Sequence, residues 1–117
     1  MDTLKLKVGS VEVELLADDR ICQSVLTGKP FEPDTLEVWA RMCQPGAVVV
    51  DIGAYSGLFS IAAAKLGAIP VAIEPLPVMR DRIAANSEIN GVKFRVIPGA
   101  ASDTTGKTRI GYNERVH

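Results

Sequence analysis

Residues 47–52, AVVVDI, form an uninterrupted apolar run of strand length and β-branched character. A strand of this composition expects cover on both faces, the signature of a parallel sheet flanked by helices rather than of a two-sided hairpin. The segments that follow repeat one alternation. Residues 58–66 read as a helix ending at Gly67, residues 71–74 as a strand, residues 77–90 as a helix ending at Gly91, and residues 93–98 as a strand. The order β-α-β-α-β predicts parallel strands joined by right-handed crossovers, a doubly wound α/β architecture.

Upstream the period is two, not 3.6. Leu4, Leu6 and Val8 share one face and, across the two-residue turn Gly9-Ser10, register with Val11, Val13 and Leu15, so residues 3–16 predict a β-hairpin with one apolar face. A connecting stretch with Gly28, Pro30 and Pro33 leads into helical spacing at Leu36, Trp39, Ala40 and Cys43, with Asp34 and Glu37 placed for a capping box and Gln44-Pro45-Gly46 as the stop. The chain divides on this basis into a hairpin and connecting segment, residues 1–33, and an α/β unit, residues 34–117. Residues 104–112 suggest a turn followed by a short strand. Trp39 belongs by its spacing to the core.

At 117 residues and 47% hydrophobic, the chain is one globular domain at most and can bury a core without disulfides. Cys22 and Cys43 have no metal spacing and read as free thiols, which together with the absence of an apolar leader in MDTLKLKVGS points to the cytoplasm. No apolar stretch approaches the roughly 20 residues that span a bilayer. A net charge of −1, with Lys and Arg scattered, offers no footprint for a nucleic-acid backbone. No metal site is expected, and His117, the terminal residue and sole histidine, supports neither a catalytic nor a metal role.

In an open parallel sheet, ligands bind beyond the carboxyl ends of the strands. Asp51 lies at such an end, and Gly53 and Gly57 let the chain turn sharply and a ligand approach the backbone. The same glycines could serve only a tight strand-to-helix turn, and Asp51 could simply cap loop amides. Glu74 ends the next strand in VAIEP, where a carboxylate can accept from both hydroxyls of a ribose. A dinucleotide fingerprint starting at Gly53 would need glycine where Tyr55 and Leu58 stand. A pyrophosphate gains nothing from a neighbouring carboxylate, whereas a cationic ligand does. The pattern therefore points to S-adenosylmethionine, with Asp51 holding its amino-acid end directly or through the loop it braces. The decoy Gly106-Lys107-Thr108 lacks the first glycine of a phosphate loop, which would fall at Ala101, and suits a hairpin turn.

These residues resemble the S-adenosylmethionine-dependent methyltransferases of Rossmann-like fold, and among them the FkbM-type group. The carriers are Asp51-Ile52-Gly53-Ala54-Tyr55-Ser56-Gly57, Glu74-Pro75, Asn86 and Asn90 in NSEIN, Ala100-Ala101-Ser102-Asp103 and Gly106, with GKPFE at residues 28–32 before the first strand. The resemblance implies a cofactor set of Asp51, Gly53, Ala54, Tyr55, Ser56, Gly57, Glu74, Pro75, Ala101 and Ser102. In that set Asp51, Gly53 and Gly57 cradle the methionine moiety, Glu74 takes the ribose, and Ala101 and Ser102 lie near the adenine. Asn86 and Asn90 are assigned helix packing and capping. The implied reaction is methyl transfer to oxygen of a small-molecule or sugar-like acceptor, with no general base nominated. Two other readings stay open: a non-catalytic or truncated cofactor-binding module, and a fragment of a nicotinamide-dependent oxidoreductase. Complete members carry a larger sheet. The chain is thus expected to be a partial fold with an open edge and face near Val48, Val49 and Val50, met by self-association or by a missing C-terminal half. The hairpin is the only cover available to that face.

Overall fold

A computed structural model describes residues 2–17 and 33–100. The elements are β1 (Thr3–Val8), β2 (Val11–Leu16), α1 (Pro33–Met42), β3 (Val48–Ile52), α2 (Leu58–Lys65), β4 (Ile69–Ile73), α3 (Pro77–Asn90) and β5 (Arg95–Ile97). Residues 18–32 and 101–117, which include Cys22, GKPFE, Ala101, Ser102, the turn and strand expected at 104–112 and the 106–108 turn, lie outside the described residues.

β1 and β2 pair antiparallel with Leu4 opposite Leu15, Leu6 opposite Val13 and Val8 opposite Val11, the register that the alternation predicts. Gly9 makes the turn at φ +60, and a Cβ there would stand 2.9 Å from that of Ala40, so glycine serves both the left-handed backbone and the approach of α1. β3, β4 and β5 form a parallel sheet in that order, with Asp51 beside Ala72 and Ala72 beside Val96. The α/β alternation of residues 47–97 is therefore as the sequence suggests, with shifted bounds. β4 starts two residues before the expected position 71 and stops at Ile73, leaving Glu74 just beyond its carboxyl end. α1 starts at Pro33, the residue type whose fixed φ suits a first helical position. Asp34 thus falls inside the first turn, and Glu37 accepts from Arg41 one turn on instead of completing a capping box with Asp34.

The hairpin does not cover the sheet. It packs on the far side of the helices, where Leu6, Val8, Val13 and Leu15 share one core cluster with Leu58, Ile61 and Ala62 of α2 and Leu36 of α1. α2, sequence LFSIAAAK, is thus apolar around most of its circumference because it lies between the sheet and the hairpin. A second cluster joins Cys43, a buried free thiol, to Val49, Ala63 and Ala68. Trp39 packs against this cluster. Its ring meets Phe59 edge-on at 5.4 Å, and its indole N–H donates to the Phe59 carbonyl at 2.8 Å, so Trp39 is a core residue as its spacing predicts.

No described element packs on the opposite face of the sheet. Val48, Val50, Ile52 and Ile69 are 51–67% exposed, while Val49 points the other way and is buried. The expected open face is therefore the Val48, Val50 and Ile52 stripe, with Val49 excluded by the strand period. The hairpin settles on the helices because these offer its apolar face Leu58 and Ile61, and offer the free edge of β2 hydrogen-bonding side chains, Asn86 and Asn90 of α3.

Candidate ligand site at the carboxyl ends of β3 and β4

Burial alternates along β3, so Val49 and Asp51 face the helices. There the Asp51 carboxylate accepts from the Ser60 hydroxyl at 2.7 Å, both residues being buried. The partner of Asp51 is thus the first turn of α2, and its geometry is that of a brace beneath the loop. Burial pushes the Asp51 carboxyl above its ordinary range, the bonds from Ser60 pull it back in part, and the charge of Glu74 adds to the rise.

A carboxyl raised on folding contributes stability that is fully present below its unfolded pKa and lost as pH rises through its folded pKa. Above that range, wherever the carboxyl is ionised, Asp51 therefore weakens the fold. Asp51→Asn, which can still accept from Ser60, is expected to raise stability at pH 7 by about 0.5–2 kcal/mol. The gain should shrink as pH falls through the carboxylate range, and thermal melts across pH 4 to 7 check it.

After Ile52 the chain reverses over five residues. The Gly53 and Ala54 amides donate to the Ile73 carbonyl at 2.8 and 3.2 Å, and the Gly57 amide closes the turn on the Ala54 carbonyl at 2.9 Å. Three residues take the left-handed region: Gly53 at φ +70, Tyr55 at +55 and Gly57 at +89. For Tyr55 this backbone is strained by roughly 1 kcal/mol or more. Glu74 holds it in place. One carboxylate oxygen accepts from the Tyr55 amide at 2.9 Å and the other from the Leu76 amide at 3.0 Å, with the side chain 4% exposed. The Arg80 guanidinium in turn donates to the carbonyls of Glu74 and Pro75 at 3.0 and 2.7 Å.

The two glycines differ in what surrounds them. A Cβ on Gly53 would meet nothing within 4 Å, so this position borders open space that a ligand can enter. A Cβ on Gly57 would touch Ile61 and Ile83 at 3.4 Å, which makes Gly57 a packing residue between α2 and α3. Ser56 is fully buried, and its hydroxyl has no hydrogen-bond partner among the described residues. The structure therefore gathers Asp51, Gly53, Ala54, Tyr55, Ser56, Gly57, Glu74 and Pro75 around one end of the sheet.

Sequence reasoning missed Ser60, Arg80 and the actual role of Asn86. Ser60 carried a signal, being the one polar residue among apolar ones in LFSIAAA, one helical turn into the segment behind a strand-end acid. Arg80 carried none, since an arginine near the start of a helix usually faces solvent.

Neither Asp51 nor Glu74 has an ion-pair partner among the described residues, whose salt bridges join Lys5 to Glu12 and Arg41 to Glu37. Each Glu74 oxygen accepts one amide, which leaves lone pairs for further donors. Two buried carboxylates beside an open glycine turn suit a ligand that brings hydroxyl donors and positive charge.

Parallel strands with a glycine turn and an acid at their carboxyl ends define the α/β proteins that hold a ligand beyond the sheet. Within that class the chain belongs to the ribosomal protein L11 methyltransferase (PrmA) family, which it matches over residues 34–108. This is an enzyme family whose methyl donor is S-adenosylmethionine. The chain is 37% identical over 65 residues to a ribosomal protein L11 methyltransferase of Thermus thermophilus, an overlap of 56% of this chain and 26% of that protein. It is 41% identical over 70 residues to one of Pelotomaculum thermopropionicum, 55% of this chain and 22% of that protein. For one of Nitratiruptor the identity is 40% over 55 residues, 47% of this chain and 20% of that protein. The chain thus spans about a quarter or less of the length of these relatives.

The family corrects two expectations. The methyltransferase resemblance is upheld in its broad form, but the group is that of ribosomal protein L11 methyltransferases rather than the FkbM type. The relatives are named for a protein acceptor, which overturns the expected small-molecule or sugar-like one. The loop and strand-end acid that carried the resemblance point to a methyl donor, and nothing in them encodes an acceptor. No helix among the described residues is long and apolar enough to cross a membrane.

Proposed function

We propose that this chain carries the S-adenosylmethionine site of a methyltransferase whose acceptor is a protein, on the pattern of relatives named for ribosomal protein L11. The observation that carries the reading is the pair of buried carboxylates, Asp51 and Glu74, without cationic partners among the described residues and beside the open approach at Gly53. The parallel β3-β4-β5 order agrees with the first part of a doubly wound, Rossmann-like sheet.

In this reading Glu74 accepts from the ribose hydroxyls with the lone pairs its two amide partners leave free. The loop from Gly53 to Gly57, with Ala54, Tyr55 and Ser56, lines the methionine moiety, and Asp51 acts through Ser60 and the start of α2. Pro75 borders the ribose end, and Ala101 and Ser102 are assigned to the adenine. The donor supplies a methyl group on a sulfonium, open to in-line displacement. These residues hold it in one orientation, and alignment of that kind contributes about 7 kcal/mol or more in favourable cases.

Titration calorimetry with S-adenosylmethionine, S-adenosylhomocysteine and a reduced nicotinamide dinucleotide tests the reading. Saturable binding of the two adenosyl ligands, with no heat from the dinucleotide, is expected. Binding of the dinucleotide alone would replace the reading with the oxidoreductase alternative, and no binding of any of the three would sink the donor site.

A further inference from the structure

We infer that Asn86 is a positioning residue for the 53–57 loop, a strut that ties the loop to the N-terminal hairpin. Its binding consequence rests on the reading of that loop as the donor site; its structural consequence does not.

Asn86 is fully buried in α3, and both ends of its amide are used. Its Oδ1 accepts from the Leu16 amide at the end of β2, and its Nδ2 donates to the Ser56 carbonyl, each at 2.9 Å. One turn on, Asn90 does something different. Its Oδ1 accepts from the Glu14 amide at 2.9 Å, while its Nδ2 donates at 2.7 Å to the Glu14 carbonyl and to the Asn86 carbonyl. Four helical residues rise about 6 Å and two strand residues about 6.6 Å, so an i, i+4 pair of asparagines matches alternate residues of a strand edge. α3 thereby stands in for a third strand along β2.

The two asparagines share the hairpin, but only Asn86 reaches the loop. The carbonyl it holds lies between Tyr55 and Gly57, both in the left-handed region. A buried carbonyl left without a donor is costly, and this one follows directly on Tyr55, whose left-handed backbone is tied to Glu74 through its amide. Loss of the Nδ2 bond therefore frees the loop at its centre. By reciprocity, a ligand that orders the loop also tightens the Leu16 end of the hairpin.

Amide hydrogen exchange and calorimetry on the full chain compare the parent with Asn86→Ala and Asn90→Ala. Without ligand, Asn86→Ala should speed exchange at Tyr55 and Gly57 by about tenfold, as expected for one lost buried hydrogen bond, and Asn90→Ala should speed it at Glu14 while leaving the loop within about twofold. The S-adenosylmethionine Kd should rise about tenfold in Asn86→Ala and less than about twofold in Asn90→Ala. Should the alanine variant not fold, Asn86→Asp, which keeps an acceptor for Leu16 and loses the donor to Ser56, must show the same loop-specific change. Equal loop exchange in the Asn86 and Asn90 variants would overturn the inference, since the effect would then be one of hairpin stability. Unchanged loop exchange in the Asn86 variants would overturn it as well. If the parent binds no S-adenosylmethionine, the donor reading fails, and the ligand-free exchange still decides the role of Asn86.

Discussion

Glu74→Ala is expected to weaken S-adenosylmethionine binding by at least one to two decades and to loosen the loop from Gly53 to Gly57. Hydrogen bonds to charged groups contribute roughly 1.5–3 kcal/mol, which sets the loss in affinity. From the sequence, the fold should survive this change untouched. The structure adds a cost, because the Tyr55 and Leu76 amides both lose their acceptor, and each buried amide left unpaired costs roughly 1–3 kcal/mol. The variant should therefore melt at a lower temperature as well as bind poorly. Glu74→Gln separates the effects, since its single carbonyl oxygen can serve one of the two amides. Calorimetry and thermal melts on the same samples measure both, and parent-like affinity in Glu74→Ala would refute the ribose assignment.

Valine at the two loop glycines should produce opposite failures. Gly53→Val places its side chain in open space, so folding should persist at a backbone cost of roughly 1–2 kcal/mol for the left-handed φ while binding is lost outright. Gly57→Val meets Ile61 and Ile83 as well as the same backbone penalty, and overpacking of this kind adds roughly 1–3 kcal/mol. It should fail to fold stably before binding is at issue. Circular dichroism against temperature, paired with calorimetry, distinguishes them. A Gly53→Val protein that unfolds as readily as Gly57→Val would mean that the turn serves the backbone alone.

Much of the candidate site is legible in the sequence because its parts are local. Gly53 and Gly57 announce a turn that only glycine tolerates well, and Glu74 announces itself as an acid at the end of an apolar strand, where burial demands a reason. What Asp51 touches was not legible. Its position at the strand end allowed a direct ligand contact, a cap on loop amides or a brace, and the choice of Ser60 depends on which face of β3 packs on α2. Asn86 and Asn90 suit structural roles by their sequence, and the structure gives them such roles, but on a strand some 70 residues away rather than within their helix alone. The small-molecule acceptor expected from the sequence fails for a related reason: the residues that point to a methyl donor carry no local signal for an acceptor.

The sequence by itself determined the hairpin register, the β-α-β-α-β order and the glycine turn with its neighbouring acid. Each follows from a period, a turn chemistry or a spacing that acts over a few residues. The tertiary structure alone decided that the hairpin lies on the helices and leaves Val48, Val50 and Ile52 open, that α3 completes the edge of β2, and that one buried amide joins hairpin and loop. Those choices are settled by which surfaces bury each other and which buried polar groups find partners, terms that pair residues distant in the chain and leave no local pattern.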